Sequence, residues 1–424
     1  MNKYISRAYQ VLSAKTAIDT YIVFAGNVFS AFLGFLFTLV AARALTVSDF
    51  GIFSAATNLM YIFISLSDVG ISAGLVNFVA NFDSEEKYNE SLKYIKSALL
   101  LRFIIISSIC LPLFIFPRYF ASTFMATDYF QISFWVALIS IGFIFYSLFP
   151  YVFQAKRKFV ISIMVENSLG IIRLIATLIF FILGGLTLSS LLFSTLISTL
   201  GPIFIGFGFL GMGFLYVRIN KEVIKSLIKF SGWLGVNNII SSLTGRLDVQ
   251  MLAVMLGATA TGLYSIPIRL STFIIVLTAS FSAVLAPRLA SFKDKDKEKI
   301  YIKKASLFLL PMICGVLIWI VISKPFILVL FGDKYLESVN VFRLLALAAI
   351  PFLTTAPAVA AIIYAMKKTV YIGMFSFVQI SALFILNYIF IPRFGVFGPA
   401  ITLFIVNSLL ASYVWFIVIK YYRR

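Results

Sequence analysis

The chain runs to 424 residues, 61% of them hydrophobic and only 12% charged, with a mean hydropathy of +1.03. Soluble domains carry about 25% charged residues, so the composition excludes an ordinary soluble fold and puts the chain among integral membrane proteins. There is no His, and the two Cys, Cys110 and Cys314, both lie in apolar runs. That leaves no basis for a disulfide framework, a Cys/His metal site or a bound cofactor.

Residues 1–17 are polar and amphipathic and read as a lead-in helix on the cytosolic membrane surface, with no cleavage site before the first span. A span needs about 20 mostly apolar residues. Twelve such stretches follow: 18–41, 51–73, 97–116, 130–153, 160–182, 187–215, 231–256, 262–286, 305–323, 339–365, 369–391 and 397–419. Their connections are short, which predicts an all-α integral membrane protein without a separate soluble domain. Six spans fall in 1–215 and six in 231–424, with 216–230 as a cytosolic linker.

The formal net charge is +19, and its placement decides what it means. With both termini in the cytosol, 25 of the 35 Lys and Arg lie in cytosolic segments, most densely between Arg288 and Lys304. Only Arg43, Arg118, Lys324, Lys334 and Arg393 fall on the outer side. Cytoplasmic loops retain positive charge, so this bias sets the topology. Basic charge spread over seven segments suits anionic lipid and argues against nucleic acid.

The two halves repeat. Shifting "SDFGIFS" (48–54) by 211 puts Gly51 on Gly262, Phe53 on Tyr264 and Ser54 on Ser265 of "ATGLYS" (260–265). At an offset of 210, "QAKRKFV" (154–160) falls on "YAMKKTV" (364–370), and "LGGL" (183–186) on "RFGV" (393–396). Three anchors in register mark a duplication. Six spans is an even number, so both halves enter the membrane in the same direction. This predicts two parallel six-helix bundles around a central cavity, the plan of alternating-access transporters.

Five cations fall within spans: Arg102, Arg173, Arg246, Arg269 and Arg343; the acids within or bordering spans are Asp19, Asp68, Glu166 and Asp248. A charge at the bilayer centre costs about 2.5–3.5 kcal/mol on insertion scales, so each needs a partner or a purpose. Arg246 and Asp248 are two apart and diverge by roughly 200° on a helix, so neither neutralises the other locally. Glu166 and Arg173 share a face roughly 10 Å apart along the axis and read either as an interhelical lock or as lining of a path. Arg102 and Arg343 sit one turn inside span ends, where snorkelling to the headgroups is an alternative to a binding role. Arg246 and Arg269 lie deeper. A guanidinium pairs with phosphate through a bidentate fork, so a cationic cavity suits an anionic cargo such as a pyrophosphate head. Pro150, Pro267, Pro287, Pro311, Pro351 and Pro357 lie in or at the ends of spans and would bend them.

Twelve spans in this length, the "SDFGIFS" turn and "GRLDVQMLAVMLGATATGLYSIPIRL" (245–270) resemble the O-antigen flippases. These are polysaccharide exporters of the multidrug/oligosaccharidyl-lipid/polysaccharide export superfamily. The resemblance covers essentially the whole chain. It implies a flippase, not an enzyme, in the bacterial cytoplasmic (inner) membrane, moving undecaprenyl-pyrophosphate-linked oligosaccharide from the cytoplasmic to the periplasmic leaflet. It also implies Arg246, Arg269, Arg173 and Arg102 as substrate-binding residues, and Asp248 and Glu166 in coupling or structural pairing. Its partners would be the lipid-linked oligosaccharide, membrane lipids, a proton or sodium ion for coupling, and polysaccharide polymerase machinery. Capsule, exopolysaccharide and teichuronic acid exporters share these motifs, and a multidrug/cation antiporter is the nearest rival. A peptidoglycan-precursor flippase would bring two further spans, and an acyltransferase would want a His base.

The topology is testable once Cys110 and Cys314 are replaced by Ala. Single cysteines at Ser84 and Asp296 are expected to resist an impermeant thiol reagent applied to intact cells, and one at Asp333 to react. Labelling at position 296 from outside would overturn the twelve-span reading.

Overall fold

In the computed structural model, residues 15–292 and 294–423 are described; the lead-in expected over 1–17 lies, up to residue 14, outside them. Hydrocarbon supplies no partner for a peptide group, so apolar segments of this length must close their hydrogen bonds internally. The described residues are accordingly helical, without a strand. In chain order the helices are α1 (Lys15–Ala44), α2 (Val47–Asp68), α3 (Ile71–Ser84), α4 (Tyr88–Ile115), α5 (Pro117–Phe124) and α6 (Gln131–Ala155). Then come α7 (Phe159–Ile182), α8 (Leu188–Ile197), α9 (Leu200–Leu210), α10 (Gly213–Tyr216), α11 (Lys221–Thr244) and α12 (Leu247–Leu256). The last six are α13 (Ala258–Ser291), α14 (Lys295–Leu307), α15 (Leu309–Phe331), α16 (Leu336–Ala360), α17 (Val370–Phe394) and α18 (Gly398–Arg423).

Ten helical stretches among the described residues are long and apolar enough to cross a membrane, and eleven if a bent pair counts as one span. The longest stretch, Val370–Arg423, holds both α17 and α18. Each of the twelve expected spans falls on helix, but with different limits. The spans expected at 262–286 and 339–365 extend to Ala258–Ser291 and Asp333–Ala365, because helix continues past the apolar window that hydropathy detects. The cation-rich stretch before the ninth span is itself largely helical, forming α14, whose Glu298 is buried and accepts from the Tyr422 hydroxyl at 2.7 Å.

Breaks in two of the expected spans bear on the site. The seventh, read as 231–256, turns by 49° between Thr244 and Leu247. The chain tightens there, with Arg246 N–H donating to Leu243 O at 3.0 Å, before α12 starts afresh. The second, read as 51–73, ends at Asp68; Val69 (φ 40°) and Gly70 (φ 76°) turn the chain into α3. A Cβ on Gly70 would stand 2.8 Å from both Gly235 N and Ser231 O, so the turn also needs glycine for close approach.

The chain packs as two compact units. The first holds described residues up to Leu45, then Leu59–Ser122 and Asp128–Ile239. The second holds Thr46–Asn58, Thr123–Thr127 and everything from Ile240 onward. In the first, α1 packs on α7 and α4 on α6. Lys96 on α4 donates to the carbonyls of Leu215 (2.7 Å) and Val217 (2.9 Å), and Lys156 pairs with Asp83 at 2.6 Å. In the second, α16 is the central element, packed against α13, α15 and α18. Tyr264, Val341, Leu345, Ile391 and Ala400 form part of its core. Pro267 cannot donate to the carbonyl of Leu263, and the hydroxyl of Ser338 on α16 does so instead at 2.7 Å.

Ser338→Ala would strand that carbonyl. It is expected to lower the thermal stability of the detergent-solubilised protein by about 1–2 kcal/mol. Ser412→Ala, at an exposed position where the hydroxyl donates to the Ser408 carbonyl of its own helix, should leave stability unchanged.

Candidate functional site

The break between α11 and α12 is built from polar groups. Arg246 is its pivot and is half-buried. The side-chain amide of Asn58, on α2, donates to Arg246 O at 2.9 Å and to Gln250 Oε1 at 3.2 Å. Gln250 in turn donates to Phe124 O at 2.6 Å. Asn58 and Gln250 are 7% and 8% exposed, so these bonds are shielded from competition. A search confined to charges passes over both residues. The available signal was an amide side chain in mid-span, where a polar group needs a partner.

Asp248 follows in the first turn of α12, where a negative charge suits the helix N-terminus. It is buried. One carboxylate oxygen accepts from the Tyr264 hydroxyl at 2.7 Å and the other from Val249 N–H at 2.7 Å. The acid is thus held by α13, and its partner is the tyrosine that the repeat aligns with Phe53. Five residues on, Arg269 is half-buried with its guanidinium carbon 5.4 Å from the centre of the Phe50 ring. Phe50 packs edge-on against Tyr335 at 6.3 Å, and both rings are fully buried. Arg343 donates to Ser323 (3.2 Å) and Asn340 (3.3 Å).

The first unit holds the other expected site residues. Arg102 does not snorkel: it is 2% exposed, with Nε 3.4 Å from Asp68 Oδ1 and Nη2 donating to Ser147 Oγ at 2.9 Å. Asp68 also accepts from the backbone N–H of Ser72 at 3.2 Å and from its hydroxyl. The Arg102–Asp68 pair therefore holds the break between α2 and α3. Glu166 and Arg173 share a helix but make no ion pair with each other among the described residues. Arg173 lies 4.2 Å from the centre of the Phe37 ring on α1, a cation–π contact. Glu166 is half-buried and has no ion-pair partner among the described residues.

A family model described as polysaccharide biosynthesis protein matches residues 17–293. The chain is 25% identical over 392 residues to a Shigella flexneri protein described as "Putative O-antigen transporter", covering 87% of this chain and 88% of the relative. It is 22% identical over 426 residues to a Haloferax volcanii protein described as "Probable low-salt glycan biosynthesis flippase Agl15", covering 92% and 81%. Among solved structures, it is similar to a multidrug resistance transporter of the MATE family, of the MOP superfamily, in an inward-facing conformation. The TM-score is 0.76 at 13% identity, over 93% of this chain and 95% of that one. It is likewise similar to the lipid II flippase MurJ in an inward closed conformation, with a TM-score of 0.75 at 14% identity over 94% and 87%. At these identities the structural likeness is one of fold.

Removing one member of a buried ion pair costs about 3–5 kcal/mol, because the other is left uncompensated. Arg102→Gln is therefore expected to reduce the amount of folded protein sharply, and Asp68→Asn in the same chain to recover a good part of it. Fluorescence-detected gel filtration of the single and double variants checks this. Normal amounts of folded Arg102→Gln protein would show that the pair does not hold the break.

Proposed function

The chain belongs to the polysaccharide biosynthesis protein family, and from that premise we propose that it is a flippase for lipid-linked oligosaccharide. It turns an undecaprenyl-pyrophosphate-linked repeat unit from the cytoplasmic to the periplasmic leaflet of the bacterial inner membrane by alternating access. In this reading the chain crosses the membrane twelve times with both termini cytosolic, as a bundle from 1–215, a linker at 216–230 and a second bundle from 231–424. The names of its relatives support a transport role and no catalytic one.

The observation that carries the reading is Arg246 at the pivot of a bent helix pair that is together apolar enough to cross a membrane. Irregular backbone at membrane depth is tolerated where it is enclosed in protein or lines a cavity, and transporters place half-helix ends at their substrates. A guanidinium there offers a planar fork to a pyrophosphate. Of the cations expected at the cargo, the reading keeps Arg246, Arg269 and Arg173. Arg102, tied to Asp68 and Ser147, is assigned to holding the first unit. Asp248, bonded to Tyr264, is assigned to structural pairing, which leaves Glu166 as the acid available to a coupling proton or sodium ion. A multidrug or cation antiporter is the second reading, and the same half-buried Glu166 is what favours it.

Deleting the gene distinguishes the two. A flippase leaves a lipid-linked oligosaccharide accumulating on the cytosolic leaflet, and analysis of its glycan separates O-antigen from capsule, exopolysaccharide or teichuronic acid. An antiporter leaves the glycan intact and lowers drug or cation tolerance. Complementation at low expression then tests the site. Surface glycan per protein molecule is expected to rank wild type above Arg246→Lys, which keeps charge but loses the fork, and Lys above Arg246→Ala. Charge-assisted hydrogen bonds contribute about 1.5–3 kcal/mol each, so the Ala variant should lose roughly tenfold or more in apparent substrate affinity. Wild-type glycan from Arg246→Ala would remove this residue from the site.

A further inference from the structure

The sequence repeat aligns Gly51 with Gly262 at an offset of 211, and the structure brings these same two glycines together within the second unit. A Cβ on Gly51 would overlap the carbonyl oxygen of Ala258 and stand 2.8 Å from Gly262 N. A Cβ on Gly262 would overlap the carbonyl oxygen of Val47 and stand 3.0 Å from Val47 Cγ1. Val47 and Ala258 are themselves related by the same offset of 211. Each glycine therefore lies on the carbonyl one turn ahead of the other, and the contact is its own image under the repeat. Two parallel repeats are related by an axis along the membrane normal, so a contact that maps onto itself lies on that axis.

The chemistry of the contact suits making and breaking. It is backbone against backbone in the manner of small-xxx-small helix crossings, with Ala258-x-x-x-Gly262 on one side and Val47-x-x-x-Gly51 on the other. Cα–H groups face carbonyl oxygens, a weak and short-ranged attraction. At the glycines themselves no side chain interlocks; the neighbouring Phe50, packed on Tyr335 beneath Arg269, is the large group that must slide. The charge bias puts Val47 and Ala258 at the outer ends of the second and eighth spans, each the first residue of its helix.

Resting on the flippase reading and its topology, we infer that the Gly51–Gly262 crossing is the outer closure of the transport path, made in this conformation and parted when the path opens outward. A substituent at either glycine wedges the crossing apart and shifts the population towards the outward-open state. Both glycines are equivalent in this respect because the contact is reciprocal.

The test uses the full chain with Cys110→Ala and Cys314→Ala and a single reporter, Ser54→Cys. Ser54 is 3% exposed and lies about one turn deeper than Gly51. With both glycines intact, an impermeant thiol reagent added outside intact cells should label the reporter slowly. Gly51→Val and Gly262→Val should each raise the labelling rate about tenfold, the response to a one-decade shift in the closed–open equilibrium. Unchanged labelling in variants of normal abundance, or a rise only with reagent admitted to the cytosolic side, overturns the inference.

A second arm does not depend on the bulky variants folding. Val47→Cys and Ala258→Cys, both half-buried, leave the glycines in place. Joining them with a short bis-maleimide should stop glycan export, while the unjoined double variant exports. Joined protein that exports at the unjoined rate overturns the inference. A deletion strain that makes no glycan even with the unmodified gene would instead count against the cargo, and the labelling arm would still decide the closure.

Discussion

A peptide group inside a bilayer has no water to turn to, and this chain interrupts its apolar helices several times. At three of them a side chain supplies a replacement partner. Pro267 removes a donor from α13, and Ser338 on α16 supplies one to Leu263. The break at Gly245–Arg246 is held by Asn58 from α2, which donates to the carbonyl of Arg246. At Val69–Gly70 the carboxylate of Asp68 collects the N–H of Ser72 and draws in Arg102. These partners come from elements far away in sequence at the first two sites, so the irregularities tie the helices to one another as well as bending them.

The same economy governs the cations. A guanidinium is the least hydrated of the common cationic groups and can rest its flat face on an aromatic ring while its N–H fork stays in the plane. The guanidinium carbons of Arg173 and Arg269 lie over the rings of Phe37 and Phe50, one contact in each unit. Arg102 takes the other solution, a carboxylate and a hydroxyl, with almost no exposure. The two settings differ in kind: a ring offers a cation its face, whereas Asp68 offers Arg102 an opposite charge.

Much of the architecture was legible because hydrophobic length and Lys/Arg placement act through bulk solvation, which is additive along the sequence. The alignment of Gly51 with Gly262 was legible as well, and the two glycines do meet. What could not be read was which groups answer one another. Arg102 looked like a candidate for snorkelling because its distance from the span end was counted, and Asp68, on another helix, was invisible to that count. Asp248 was assigned no partner because Tyr264 sits sixteen residues away across a turn. Asn58 carries no charge and so escaped a search for charges, although a buried amide also needs hydrogen-bond partners. The bend at Arg246 needed only Gly245 and one tight turn, too local a signal to stand out within an apolar window.

α2 is an unbroken helix of 22 residues whose stretch to Asn58 packs in the second unit and whose remainder, from Leu59, packs in the first. It contains no Pro, and its one Gly, Gly51, lies a single turn from its start. A rod of this kind kinks poorly, since sharp bends need Pro, paired small residues or a bulge. It therefore runs unbroken for about 33 Å, with Asn58 and its bond to the Arg246 carbonyl near its midpoint. A Pro placed near Asn58 would give this helix the joint that its own sequence withholds.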